Sequence, residues 1–263
     1  MGPKVNKTTI MVIISQPKLK AKIRQALNGL ENAEILYRDP GEADNNVMTQ
    51  IAASSPGIVL LDIGFPQLKG LELADKITRA YSTVAVIMLS TNPEEDDDEI
   101  FEVIKCGAVA YLGERQSYSS ALIDTIKQVF EGKSPINDAV VNRPEVAHRI
   151  LKQFRDMVLH DKREHDFTIS LTIEEEKTLK LIAQKKVRKQ IADILCIPED
   201  TINNLISNIL KKMAANTRAH YLFNKMRNDL ISVSIAKYGN LFIFNPTTSY
   251  CDFQPSPASR RRT

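Results

Sequence analysis

The sequence predicts two domains in series: an α/β domain with a five-stranded, doubly wound parallel sheet, and then a small all-α domain built on a helix-turn-helix. Three observations predict this. Five short apolar runs alternate with segments of helical period over residues 8–135. The alternation stops at Gly132-Lys133-Ser134-Pro135, a run of helix and strand breakers. Beyond residue 167 short helical segments follow one another closely, with no strand between them.

The elements follow in order. Ile10 to Ile14 is continuously apolar, as a strand buried on both faces must be. Leu19, Ile23, Ala26 and Leu27 then repeat at helical spacing. Ala33 to Tyr37 reads as a second strand, closed by the turn signal Asp39-Pro40-Gly41. A polar helix over about 43–53 leads to a third strand, Gly57 to Asp62. Gly70 to Ala80 is a helix, Val84 to Leu89 a fourth strand, Ile100 to Lys105 part of a helix and Ala108 to Leu112 a fifth strand. Leu122, Ile126, Val129 and Phe130 line a last helical face. In such a sheet the functional residues lie at the carboxyl ends of strands. Asp62, Ser90 and the residues after Leu112 hold those positions.

The organisation expected is an α/β domain at 8–135, a linker helix within 136–166, a helix-turn-helix domain at 167–228 and an extension at 229–263. The linker helix, about Arg143 to His160, carries Ala147, Ile150, Leu151 and Phe154 on one face. Thr172 and Glu175 have capping-box spacing and start the next helix. Lys189 to Leu195 and Thr201 to Met213 are helices flanking the tight turn at Cys196-Ile197-Pro198. In the extension Ile231, Val233 and Ile235 alternate with small or polar residues, and Leu241 to Phe244 is β-prone. A β-hairpin over 231–244 is expected, with a disordered tail to Arg260-Arg261-Arg262.

Composition narrows the function. With 43% hydrophobic and 25% charged residues the chain is ordinary globular protein. No apolar run approaches the ~18 residues of a membrane span, and the N-terminus lacks a signal-peptide core. Three scattered cysteines give neither a zinc site nor a disulfide framework, so a cytoplasmic location is expected. Residues 1–135 hold 14 Lys+Arg against 18 Asp+Glu, leaving 21 against 14 beyond them. A polyanion partner would therefore meet the back half. The first strand is followed by Ser15-Gln16-Pro17-Lys18, with no glycine-rich phosphate loop, and no catalytic triad or metal cluster stands out. An enzyme and a resident cofactor are not expected.

Both halves resemble the NarL/FixJ class of bacterial response regulators over roughly residues 8–225. Leu60-Leu61-Asp62 with Pro66 and Gly70 resembles the phosphoacceptor segment of receivers. Val86 to Ser90 and Gly107 to Leu112 are similar to the strands that carry the switch residues, here Ser90 and Tyr111. Thr172 to Glu175, Gln190-Ile191-Ala192, Thr201-Ile202, Asn208 to Lys212 and Asn216 to Ala219 resemble the LuxR-type helix-turn-helix. The resemblance implies a flavodoxin-like receiver and a transcriptional regulator that binds double-stranded DNA.

Two departures bear on mechanism. Receivers place two acidic residues just after the first strand, where this chain has Ile14 and Ser15. They carry a Lys after the fifth strand, where this chain has Glu114. Phosphorylation of an Asp needs a Mg²⁺ held by carboxylates, and a cation to meet the new phosphate. Ile14 cannot ligate and Glu114 would repel, so a receiver working without phosphorylation, as a dimerisation or docking module, is expected. Mg²⁺ enters only if Asp62 is phosphorylated after all. The acidic run Glu94 to Glu99 reads first as a helix N-terminal charge preference and second as replacement carboxylates.

The resemblance places the helix Thr201 to Met213 in the major groove. Asn203, Asn204 and Ser207 share its polar face and suit base edges; Thr201, Arg188, Lys189, Lys211, Lys212 and Arg218 complete the DNA set, the basic residues suiting phosphates. The other partners expected are a second copy of the chain, through the receiver or the linker-helix stripe, a sensor kinase or other signalling protein, and RNA polymerase indirectly. Two alternatives stand: an orthodox two-component regulator phosphorylated on Asp62, and an adaptor that keeps the helix-turn-helix without reading DNA.

Overall fold

The structure, a computed structural model, describes residues 8–30, 33–38, 44–64, 69–92, 96–113, 118–164 and 168–238. Its first domain follows the order β1 (Thr8–Ile13), α1 (Pro17–Leu27), β2 (Ala33–Arg38), α2 (Asp44–Ser54), β3 (Ile58–Asp62), α3 (Gly70–Ala80), β4 (Ala85–Leu89), α4 (Asp97–Lys105), β5 (Ala110–Leu112) and α5 (Tyr118–Phe130). The five strands form one parallel sheet in the order β2-β1-β3-β4-β5. The order reverses between β1 and β3, which makes the carboxyl ends of those two strands the crevice of the domain.

The alternation of side chains along each strand divides the interior in two. Ile10, Val12, Ile58, Leu60, Ile87 and Leu89 face one side and are covered by Leu19 and Ile23 of α1 and Leu122 and Ile126 of α5. Met11, Ile13, Val59, Leu61, Val86 and Met88 face the other side, with Leu73 and Ile77 of α3 and Val103 and Ile104 of α4. Gly70 is required where α3 begins. A Cβ there would stand 2.2 Å from the carbonyl oxygen of Asp62, so only glycine lets the helix close on the end of β3.

The second core does not end with the first domain. It runs on into α6 (Ile136–Val141), α7 (Pro144–Glu164), α8 (Ile173–Ala183), α9 (Arg188–Leu195) and α10 (Glu199–Tyr238). Val146, Ala147, Ile150, Leu151 and Phe154 of α7 are all buried in it. Burial of the four larger side chains contributes on the order of 1.5–3 kcal/mol each before entropy is counted. That corrects the expectation that the stripe of α7 carries a contact between two copies: it faces its own chain. The short helix α6 was not expected; it follows directly on Pro135 and buries Ile136, Asn137 and Val140.

The tail also differs from expectation. Residues 231–238, the first strand of the expected hairpin, continue α10, while 239–244 and the expected disordered tail lie outside the described residues. The sequence has no Gly or Pro between Glu199 and Tyr238, and the next residue is Gly239. Once a helix is nucleated, each further residue adds a hydrogen bond without a new nucleation cost, so short β-prone alternation does not stop it. The reading helix expected over Thr201–Met213 is therefore the first third of a 40-residue helix. Among the described residues no helix is long and apolar enough to cross a membrane.

Candidate functional site

Two sites were expected, one at the carboxyl edge of the sheet and one on the helix-turn-helix. At the sheet edge, β3 delivers Asp62 fully buried. Its two carboxylate oxygens are both engaged: the Ser15 hydroxyl donates to one at 2.9 Å and the Gly64 N–H to the other at 2.9 Å. Beside them Gln16 Nε2 donates to Thr91 Oγ1 at 3.0 Å. Ile14 points into the core under α1 and α5 and is 1% exposed. Among the described residues, the side chains a divalent cation would meet at Ile14, Ser15 and Asp62 are thus one carboxylate, one hydroxyl and an alkyl chain. Magnesium wants near-octahedral oxygen ligands, usually with one or two carboxylates. These residues do not fit it. Glu94, Glu95 and Glu114 lie outside the described residues.

The rest of the acidic run serves the frame. Asp96 caps α4, accepting from the Asp98 N–H at 2.9 Å, where negative charge also suits the helix dipole. Asp97 pairs with Arg143 at 3.0 Å and Asp98 pairs with Arg149, so α4 is tied to α7. Of the two residues expected in switch positions, Ser90 is buried and accepts from the Asn92 N–H at 3.1 Å. Tyr111 is half-buried, and its hydroxyl donates to Glu99 at 2.8 Å, joining β5 to α4.

The helix-turn-helix is built as its sequence signals imply. Thr172 and Glu175 form a reciprocal capping box at the start of α8. Cys196 ends α9 in the left-handed region, with φ 53° and ψ 43°, and the Ile197 N–H returns to the Ala192 carbonyl. Pro198 then precedes α10, whose Ile202, Ile206, Ile209, Leu210 and Met213 face inward.

The expected DNA-contacting residues do not share one environment. Asn204, Lys189 and Lys211 are exposed, and Thr201 is half-buried. Lys212 is taken up inside the domain: its ammonium donates to buried Glu175 at 2.7 Å and to the Ser170 carbonyl at 3.2 Å. It clasps α10 to the start of α8. Arg218 is half-buried and donates Nε–H to the Ala214 carbonyl at 3.1 Å. Arg188 is paired with Asp138.

Asn203 and Ser207 are covered by α6. Asn137, 6% exposed, donates through Nδ2 to the Asn203 carbonyl at 3.2 Å and to the Ser207 hydroxyl at 2.7 Å. The Oδ1 atoms of Asn137 and Asn203 are buried without a hydrogen-bond partner. An orphaned acceptor costs about 1–3 kcal/mol, which weakens this seam relative to a fully satisfied one. A further clasp lies along α3, where the Arg79 guanidinium, held by Asp75, stacks over the Tyr221 ring at 4.2 Å. With α6 in place the Asn203 Oδ1 is buried and the Ser207 hydroxyl is engaged by Asn137, so neither atom is free to meet a base edge. Sequence reading missed Asn137, Asp138, Arg143 and Arg149; the only local signal was Pro135 ahead of Ile136 and Val140 at i, i+4.

Residues 10–127 match the family described as response regulator receiver domain, and residues 169–222 match the bacterial regulatory proteins of the luxR family. The chain is 26% identical over 239 residues to the transcriptional regulatory protein DegU of Brevibacillus brevis, covering 87% of this chain and 97% of that one. It is 28% identical over 212 residues to the nitrate/nitrite response regulator protein NarL of Escherichia coli K12, covering 80% and 91%. Among solved structures, the RcsB response regulator of Salmonella typhimurium aligns over 82% of this chain and 99% of that one, at 17% identity and a TM-score of 0.43.

Proposed function

Since this chain belongs to the response regulators that join a receiver to a LuxR-type helix-turn-helix, and is a DNA-binding transcriptional regulator of that type, we propose that its receiver controls access to DNA by docking, without phosphorylation. The observation that carries this reading is the occupied acceptor site. Both oxygens of Asp62 already have donors, one of them Ser15 in the place of a metal-binding carboxylate, and Ile14 is committed to the core. Phosphoryl transfer depends on positioned positive charge, and neither described partner of Asp62 supplies it.

In this reading Asn204 and, after release from α6, Asn203 and Ser207 face base edges. Lys189, Lys211, Arg218 and Arg188, the last freed from Asp138, hold phosphates. Thr201 sits beside them at the start of α10. Lys212 keeps its place as an internal clasp. The partners are double-stranded DNA, a second copy of the chain, a signalling protein or sensor kinase that reads the receiver, and RNA polymerase indirectly. Because α7 turns its stripe inward, self-association falls to other surfaces, of which the exposed Tyr221, Leu222 and Met226 of α10 are apolar. The test is to incubate the chain with acetyl phosphate and Mg²⁺, weigh it, and measure DNA affinity before and after. Unchanged mass and affinity are expected. A phosphorylated fraction that is absent in Asp62→Ala, with altered DNA affinity, favours the orthodox regulator. An absence of salt-dependent DNA binding under all conditions favours the adaptor.

A further inference from the structure

The seam between receiver and reading helix encloses a groove of about 290 Å³. One wall is the turn after α3 and the approach to α6, with Ser82, Thr83, Ser134 and Asn137. The other wall is α10, with Lys211 and Arg218. Among the described residues no acidic side chain lines the groove. Among the described residues Lys211 has no acidic partner, and Arg218 bonds only a backbone carbonyl. Asn137, more than nine-tenths buried, is on the lining with an unpartnered Oδ1. The groove therefore offers two cations on one side and hydroxyls with an amide on the other, over an apolar floor that includes Val84, Ala85, Leu210 and Ala214. Its volume is at the lower end of the ~300–1,000 Å³ typical of small-ligand sites.

We propose that this groove binds a small hydroxylated phosphomonoester, of sugar-phosphate size, and that the ligand holds the reading helix against the receiver. The phosphate meets Lys211 and Arg218, a point charge and a planar fork that together suit a dianion. The sugar hydroxyls meet Ser82, Thr83 and Ser134. Because the two walls belong to different domains, the complete site exists only while the domains are docked. A ligand that binds only the docked form stabilises it by mass action. It also occupies two cations that DNA phosphates would otherwise use. Linkage then requires the effect to be reciprocal: ligand weakens DNA binding by the factor by which DNA weakens ligand binding. The inference rests on the docking reading above.

The experiment is calorimetric titration of the full chain with ribose 5-phosphate at constant ionic strength, with ribose and inorganic phosphate as comparators, followed by DNA titrations with and without it. Saturable one-to-one binding is expected, tighter for ribose 5-phosphate than for either fragment. Lys211→Gln and Thr83→Glu should each weaken it at least tenfold. Thr83 is an exposed turn residue, so the second variant keeps its fold, and its own ligand-free DNA affinity is the reference for its titration with ligand. Ribose 5-phosphate should lower the DNA affinity of the unaltered chain and leave that of Thr83→Glu as it was. The proposal is overturned by no saturable binding, by unaltered binding in Thr83→Glu, or by an equal loss of DNA affinity in that variant, which would be plain ionic competition. The docking reading fails separately, if Asn137→Ala leaves ligand-free DNA affinity unchanged; the calorimetry with Thr83→Glu still decides the groove.

Discussion

Replacing Asn137 with alanine separates the seam from the DNA-reading surface, because Asn137 lies outside the helix-turn-helix. The substitution removes two hydrogen bonds, to the Asn203 carbonyl and the Ser207 hydroxyl. At about 0.5–1.5 kcal/mol each, the loss is roughly 1–3 kcal/mol. Part of it is returned, because the orphaned Oδ1 of Asn137 leaves with the side chain. With the two bonds at the upper end of that range, about 3 kcal/mol, and about 1–2 kcal/mol returned, a net loss of about 1–2 kcal/mol remains, which shifts the docked-to-released ratio by roughly 5–30-fold. Where the docked form dominates, apparent DNA affinity rises by the same factor, since affinity scales with the competent fraction. The neighbouring ion pair Arg188–Asp138 is partly exposed, at 29% and 57%, so Asp138→Ala should shift the ratio less, by about 0–1 kcal/mol. Fluorescence anisotropy with a duplex recovered by selection from a random pool reads both effects. Circular dichroism checks that the helices persist. A dissociation constant within twofold of the unaltered protein, with the fold intact, would refute the reasoning.

Three further outcomes are expected. Asp62→Asn should keep DNA affinity within twofold, because the amide oxygen still accepts from the Gly64 N–H while the amide nitrogen can donate to the oxygen of the freely rotating Ser15 hydroxyl; a large change would restore Asp62 as a chemical switch. Lys211→Ala should weaken all DNA sequences alike and lower the salt slope by about one, while Asn204→Ala should blur sequence preference at a cost of about 1–3 kcal/mol; equal losses on selected and random DNA in Asn204→Ala would remove it from the base-reading set. Buried Cys106, its thiol pushed from 9.0 up to about 12 by burial and then by the charges of Asp75 and Glu102, should resist iodoacetamide at pH 8 while exposed Cys196 is alkylated, as peptide masses would report. A folded-state pKa above the unfolded one means that the native chain holds its proton longer. Its contribution to stability is complete below about pH 9 and is lost as pH rises towards about 12, which chemical denaturation at several alkaline pH values can check.

Local sequence determined a large part of this protein. The five apolar runs and their helical partners gave the sheet and its helices to within a few residues, because burial on both faces of a parallel strand leaves little choice of residue type. Asp62 and Ser90 stand where strand-end positions put them, and Thr172 with Glu175 forms the cap its spacing implies. That Ser15 offers a hydroxyl and no carboxylate is legible in the sequence too, since ligand chemistry depends on residue type. What the sequence left open concerns partners far away along the chain. The stripe on α7 reads equally as an interface with a second copy or with its own domain; only packing put it inside. Alternation over 231–236 suited a strand, yet the uninterrupted helix before it decided the outcome. Asn203 and Ser207 carry nothing that announces their cover, because Asn137 lies 66 and 70 residues away. Secondary structure and active-site chemistry are set by what a residue is and by its near neighbours. Which face of an amphipathic helix meets which other surface is set by the area buried when the whole chain closes, and that sum exists only in the tertiary structure.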